Sequence, residues 1–489
     1  VIPAELIFAD PAYLRACVGL PSRMGVQLFQ VGVDIARGPG GKFWVLEDRT
    51  QAPSGGGFAL ESRPIMGRIF PDLMSKMPVR RLSSHFRTFR ESLLSMYEGR
   101  QLEPRVVLLS PGPYSPLYFE HAYLASYLGY TLVQGSDLLV RNGSVRLKTL
   151  EGLQPVDIVY SFVNAAFLDP LELRRDSFLG VAGLVGAMRA GKVSALNHPG
   201  CGLLENSGLM AFYPLLCREL LGEELLLPSV ATWWCGQAEE RKYVLEHLNE
   251  LIVKPLQRSW KEPGVDGSLC SRAELEKLRR SNDTHPEGYV GQERVEFSRL
   301  PTLGMDHLET RPARLRTFAT ASPDGYKVMP GGLARAVPPG GGMDISGRGI
   351  IKDVGGMGSN PEPHRSLWLD RDSQTEQTCF QGVFTSRSAE NLYWVGRYVD
   401  RVLFQTRILR GIGQTEQLRS ETRTESGGEF RKRLELLERI CGAGTPRKGS
   451  NIKRMKRMIC GEDAGGSLSE NLKALVAAAY AVRDIWSQD

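Results

Sequence analysis

Apolar and polar positions along this 489-residue chain change period several times, and each change marks an element. Residues 43–46 (FWVL) are an apolar, β-prone run ending in Glu47 and Asp48 and then in a glycine-rich turn, so a strand is expected to carry two carboxylates at its end. Residues 31–36 lie just upstream across Gly-Pro-Gly-Gly, and the spacing predicts a hairpin that brings Asp34 beside Glu47. Residues 106–109 (VVLL) run into Ser110, Pro111, Gly112 and Pro113; a helical pattern follows through Tyr118, Ala122, Leu124, Tyr127 and Leu128, then Leu132 and Val133 resume a strand. A second β-α-β unit has a strand at 156–160, a helix at 179–190 and a strand at 193–196 closed by Asn197, His198, Pro199 and Gly200. Such units build parallel sheets that take ligands at the carboxyl ends of their strands, which makes the Pro-Gly-Pro loop a candidate ligand edge. Helices at 209–221 and 239–249 lead into a buried strand at 251–255. From Ser388, apolar residues Leu392, Val395, Val399, Val402 and Leu403 recur three and four apart, predicting one amphipathic helix capped by Ser388 and stopped at Gly411 and Gly413. Residues 420–428 and 442–450 read as loops.

Composition narrows the class. With 42% hydrophobic and 24% charged residues, the chain has the make-up of a soluble globular protein with room for two or three domains. It lacks the roughly 18 uninterrupted apolar residues of a membrane span and a basic-then-apolar leader, so the expected compartment is the cytoplasm and no membrane partner is expected. A net charge of +6 is too mild to imply nucleic acid. The cluster Arg447, Lys448, Lys453, Arg454, Lys456 and Arg457 is either a solvated helix face or a contact for an anionic partner. The 8 cysteines form no C-x-x-C pair, which argues against a zinc site and a disulfide framework.

Candidate chemistry sits at strand ends. Asp34 and Glu47 converging in a hairpin suit a hard cation such as magnesium, although solvated strand-end charges give the same pattern. Lys254 closes a Leu-Ile-Val run and must either snorkel to water or meet an anion such as phosphate. Gln292 and Glu293 end another strand, where an adenine or ribose edge could be read. Arg314 and Arg316 share one strand face and suit phosphate or acyl-phosphate oxygens. The glycine runs at 340–342 and 355–356 lack the G-x-x-x-x-G-K-[ST] spacing of a Walker loop.

Taken in order, WVLEDRTQAPSG (44–55), LLSPGPYSPLYFEHAYLASYLGY (108–130), DPLELRRDSFLGVAGL (169–184), LLGEELLLPSVATWWCGQ (220–237), LIVKP (251–255), RPARLRTFA (311–319) and YKVMPGGLAR (326–335) resemble the circularly permuted ATP-grasp proteins, relatives of glutathionylspermidine synthase, with an alpha-E domain behind. The resemblance spans nearly the whole chain. It implies an α/β (α+β) ATP-grasp domain with a Rossmann-like pre-grasp unit over 1–380, then an all-α domain over 385–489 whose first helix is at 388 and a later one at 471–489. Because the chain opens on Val1 and stops inside the longer helical domain of the family, it is expected to be a piece of a longer protein.

The resemblance also implies ATP- and magnesium-dependent joining of a carboxylate to an amine through an acyl phosphate. Lys254 and Lys352, beside Asp353, would steady the phosphates, and Gln292 and Glu293 would touch the nucleotide edge. Asp34 and Glu47 would hold magnesium, with Arg316 and Arg314 stabilising charge on the transferred groups. The implied partners are small-molecule or peptide carboxylates and amines, and a protein partner for the helical domain. Three departures bear on this. The family's third metal position, Asn in its Glu-x-Asn pattern, is Arg49; its Arg-Arg-x-Asp-Asp-Asp stretch is SFVNAA at 161–166; its Gly-Gly-x-Ser-Lys-Asp segment survives as GIIKD at 349–353. The alternative they imply is a scaffold with a silenced site.

Overall fold

The computed structural model describes residues 2–22, 24–97, 103–256, 264–304, 307–337, 349–359, 384–422, 427–440, 451–461 and 466–485. The chain divides into two compact units, Val1–Pro111 with Pro116–Leu147 and Leu153–Gly382, and Gly112–Ser115 with Lys148–Gly152 and Val383–Asp489.

In the first unit the expected hairpin forms. Strands Gln30–Arg37 and Phe43–Arg49 run antiparallel with Asp34 opposite Glu47, and Gly40 (φ 77°) and Gly41 (φ 83°) supply the left-handed turn between them. They edge a seven-stranded sheet. Gln30–Arg37 pairs on its other side with the long strand Leu308–Ser322, which Gly331–Ala336 and Ile350–Gly355 extend; Arg299–Leu303 and Gly325–Val328 pair with its two ends. The two β-α-β units also form, as a four-stranded parallel sheet in the order Thr131–Val133, Val106–Leu109, Ile158–Ser161, Ser194–Leu196. A third sheet, antiparallel, holds Thr232–Trp234, Tyr289–Glu293, Leu251–Pro255 and Val265–Asp266.

Two expected helices are broken by local chemistry. Only Leu184–Arg189 of the 179–190 stretch is helical, because Gly183 (φ 84°) cannot continue a right-handed helix and the Asp169 carboxylate caps the first turn, accepting from the Gly183 and Val185 amides at 3.1 and 2.9 Å. The 209–221 stretch splits into a tight turn, Ser207–Ala211, and a helix, Tyr213–Leu221, with Pro214 in its first turn. The main core lies where helix Ser83–Met96 buries Phe86, Phe89 and Leu93, spaced three and four apart, among Phe29, Leu108, Leu124, Ile158 and Phe318.

The second unit carries helices Ser386–Thr422, Gly427–Ile440, Asn451–Cys460 and Leu468–Ala481 around Leu409, Ile412, Leu434, Leu437 and Met458. Two expectations are corrected here. The first helix runs through Gly411 and Gly413, since burial of Leu409 and Ile412 outweighs the roughly 1 kcal/mol that each interior glycine costs. Its cap is Thr385, whose hydroxyl accepts from the Ser388 amide at 3.1 Å. Of the basic cluster, Arg454 is buried and bonded to both Glu438 oxygens, at 3.0 and 2.5 Å, so it belongs to the helix packing and not to a solvated face. Arg447 and Lys448, the 442–450 loop and the 340–342 glycines lie outside the described residues. Among the described residues, no helix is long and apolar enough to cross a membrane.

Candidate functional site

Strand register assembles a charged cluster on one face of the seven-stranded sheet. Cross-strand partners share a face, so Glu47, Asp34 and Arg316 stand in a row, with Arg49 one step along and Arg314 opposite Arg335. Asp34, at 1% exposure, is the anchor. Its Oδ1 accepts from Arg316 Nε (2.6 Å), and its Oδ2 accepts from Arg316 Nη2 (2.8 Å) and Arg49 Nη2 (3.0 Å). Arg49 Nη2 also reaches Glu47 Oε2 at 2.5 Å, and Glu47 Oε1 lies 3.5 Å from Lys254 Nζ. Burial pushes the Asp34 carboxyl up, but the Arg316 hydrogen bonds and charge, with Arg49 and Arg314 behind them, outweigh it and hold the group well below the carboxylate range. The cations have the opposite problem. Burial pulls Lys254 and Arg314 down, the carboxylates only partly offset this, and neighbouring guanidinium groups add to the pull.

The donor set tests whether a divalent ion fits. Both Asp34 oxygens accept from guanidinium groups, Glu47 is shared between Arg49 and Lys254, and the third position is itself a cation. Among the described residues, no group of three or more His, Cys, Asp or Glu is arranged to hold a metal. Asp34 and Glu47, expected as magnesium ligands, are here committed to the chain's own cations, and a bare divalent ion does not fit.

The other candidate residues scatter in an instructive way. Gln292 lies opposite Ile252 and two residues from Val290, the partner of Lys254, so it shares the Lys254 face; it is buried, with Nε2 donating to Thr232 Oγ1 at 3.0 Å. Glu293 points to the opposite face and is exposed. Lys352 pairs with Ala334, which puts it on the face of the large sheet opposite to Asp34 and Arg316. Asp353 shares their face but is bonded by Arg63, at 2.6 Å to Nε and 3.1 Å to Nη2.

The glycine-rich turn after Phe43–Arg49 joins this cluster to the parallel sheet. Arg316 Nη1 donates to the Ser54 carbonyl at 3.0 Å. The Gly55 and Gly57 amides, at the start of helix Gly56–Ile69, donate to Glu120 Oε1 at 2.5 and 3.0 Å. Glu120 comes from helix Tyr118–Leu128, which follows the Pro-Gly-Pro loop. Sequence reasoning did not single out Glu120, because a glutamate between Phe119 and His121 looks like any polar position on a helix; nor did it single out Arg335, although its alternation with Leu333 put it on the cluster's face.

At the carboxyl end of the parallel sheet, Phe162 of the SFVNAA segment packs inward. Phe162 is buried, stacks on His121 (centroids 4.4 Å apart) and meets Tyr160 edge-on at 5.0 Å, while Asn164 caps the following turn by accepting from the Ala166 amide. Phe162→Arg, the residue type that the resemblance implies at this position, is expected to cost on the order of 3 kcal/mol by trading buried ring contacts for an unpaired charge. Urea unfolding measures this; a change below about 0.5 kcal/mol would show that the ring is not core packing.

Comparison with known proteins gives the family. Residues 1–337 match the family model "Circularly permuted ATP-grasp type 2", and 384–489 match Alpha-E, a predicted alpha-helical domain. The uncharacterized protein Rv2567 of Mycobacterium tuberculosis is 33% identical over 505 residues, covering 100% of this chain and 57% of the relative. The uncharacterized protein sll0335 of Synechocystis is 36% identical over 335 residues, 68% of this chain and 70% of that protein. Rv2411c of M. tuberculosis, also uncharacterized, is 35% identical over 359 residues, covering 73% and 64%. The chain thus spans little more than half the length of its Rv2567-like relatives. It belongs to the circularly permuted ATP-grasp type 2 family, with an Alpha-E helical domain following.

Proposed function

We propose that the chain is an ATP-dependent carboxylate–amine ligase working through an acyl phosphate. The observation that carries this is the crowding of cations in the buried cluster: Lys254, Arg49, Arg314 and Arg316 gather around Asp34 and Glu47, and burial and the neighbouring guanidinium groups pull Lys254 and Arg314 down despite those carboxylates. A buried excess of positive charge is costly unless an anion completes it, and a nucleotide's phosphates carry the right charge for that role. In this reading the substrate carboxylate oxygen attacks the γ-phosphorus and ADP leaves. The amine then attacks the acyl carbon, phosphate departs with the former carboxylate oxygen, and the nitrogen gives up a proton. Lys254, Arg314 and Arg316 draw charge from the transferred phosphoryl group, and Gln292 borders the nucleotide from the Lys254 face. Any magnesium would arrive with the phosphates, since Asp34 and Glu47 already hold cations of the chain.

A second reading, a scaffold with a silenced site and a protein partner for the helical domain, is favoured by the inward turn of Phe162. A thermal shift separates the two. A native-state ligand at 100 times its dissociation constant stabilises by about 2.7 kcal/mol, so ATP with magnesium is expected to raise the midpoint by several degrees. Incubation with pooled carboxylates and amines is then expected to sustain ADP release over many turnovers only when both are present. No shift with ATP would leave the scaffold standing.

A further inference from the structure

The 54–57 turn is gripped from two sides. Arg316 holds the Ser54 carbonyl, and the Glu120 carboxylate takes the two amides that follow. The fit between turn and carboxylate is close: a Cβ on Gly57 would lie 2.8 Å from Glu120 Cγ and 3.1 Å from Leu124 Cγ, and Gly55 has φ 116° with Phe318 and Arg316 against it. Glu120 is 0% exposed, and its second oxygen, Oε2, has no hydrogen-bond partner among the described residues. A wholly buried carboxylate with one oxygen on a glycine turn and the other bare is an expensive arrangement for a purely structural role.

We propose that Glu120 is a positioning residue of the site: it fixes the 54–57 turn and, through the Ser54 carbonyl, the Arg316 guanidinium in the place from which Arg316 meets a nucleotide phosphate. The proposal rests on the nucleotide reading for its last step and on geometry for the rest. It also makes the grip depend on pH. Burial pushes the Glu120 carboxyl up to about 7, against the opposing pull of the Gly55 and Gly57 amides and of Arg316. The titratable and charged groups that act on it are Arg316 on strand Leu308–Ser322 and Tyr160 on strand Ile158–Ser161, while Glu61, on helix Gly56–Ile69, is engaged with Tyr123. Its helix neighbour His121 is held neutral by burial and bonds Ser110. Arg316 is thus the one charge among these that favours ionised Glu120.

Two variants separate positioning from bulk stability. Glu120→Gln keeps an oxygen for the two amides but has no proton to lose; Glu120→Ala removes the acceptor. Amide exchange at Gly55 and Gly57 is expected to speed up at least about tenfold in Glu120→Ala and to stay near the unaltered rate in Glu120→Gln. The dissociation constant of a non-hydrolysable ATP analogue is expected to rise about tenfold in Glu120→Ala and to be rescued in Glu120→Gln. A carboxyl whose pKa is raised on folding stabilises below its unfolded value and loses that contribution as pH rises through about 7. The ligand-free midpoint of the unaltered protein is therefore expected to fall, relative to Glu120→Gln, between about pH 5 and pH 8. Glu120→Ala with unchanged exchange and analogue affinity overturns the positioning role, and Glu120→Gln with the unaltered pH slope overturns the pH coupling. Failure of the analogue to bind the unaltered protein overturns the nucleotide reading and with it Arg316's task, while exchange at the two glycines still decides whether Glu120 holds the turn.

Discussion

Asp34→Ala is expected to destabilise the chain by about 3–5 kcal/mol at neutral pH, the range for breaking one side of a buried charge network. Three guanidinium groups depend on this carboxylate: Arg316 through both oxygens, Arg49 through Oδ2, and Arg314 through charge. Its removal leaves them crowded in a site already rich in positive charge, with Lys254 close by across Glu47. The pH dependence has a definite sign. Asp34's pKa is depressed on folding, so its contribution is complete above the ordinary aspartate value of about 4 and is lost as the pH falls below that. The gap between the variant and the unaltered protein should therefore narrow in acid. Urea titrations at about pH 7 and pH 3 test both statements. A neutral-pH loss under roughly 1 kcal/mol would mean that the cluster behaves as a solvated surface network, and the case for a buried anion site would go with it.

Much of the frame around Asp34 was legible in the sequence, because it rests on short-range rules. A Gly-Pro-Gly-Gly turn between two β-prone runs makes a hairpin, and its register set Asp34 opposite Glu47. Apolar runs flanking a helical pattern gave the parallel sheet. What escaped depends on partners far apart in the chain. Which face a strand residue takes is fixed by register, so Lys352 and Asp353, adjacent in sequence, part to opposite sides, and Asp353 is claimed by Arg63 from 290 residues away. The burial of Glu120 follows from helix Tyr118–Leu128 docking against the glycine turn, which no local pattern encodes. The persistence of helix Ser386–Thr422 through Gly411 and Gly413 is likewise a packing outcome that overrides local propensity.

Lys254 supplies the sharpest functional expectation. Its ammonium is buried near Arg49 and Arg314, and burial holds its pKa down despite Glu47 at 3.5 Å. In the ligand-free protein it is therefore a poorly compensated charge, and deleting it relieves repulsion as well as losing one contact. Lys254→Ala is expected to leave the ligand-free midpoint within about 2–4 °C, because the loss of one weakly favourable ion pair and a little packing is small. With nucleotide the balance reverses. Phosphate is the partner that makes the buried ammonium favourable, and removing an ionised donor from such a contact forfeits roughly 1.5–3 kcal/mol, or ten- to hundredfold in affinity. At 100 times the unaltered dissociation constant the stabilisation of about 2.7 kcal/mol then falls to about 1.4 kcal/mol for a tenfold loss and about 0.4 kcal/mol for a hundredfold loss, so the ATP-dependent shift should drop to half or less. Lys254→Arg keeps the charge but replaces a compact ammonium with a planar fork and should recover only part of the shift. A full ATP-dependent shift in Lys254→Ala would remove Lys254 from the nucleotide site and leave Arg314 and Arg316 as the groups to test next.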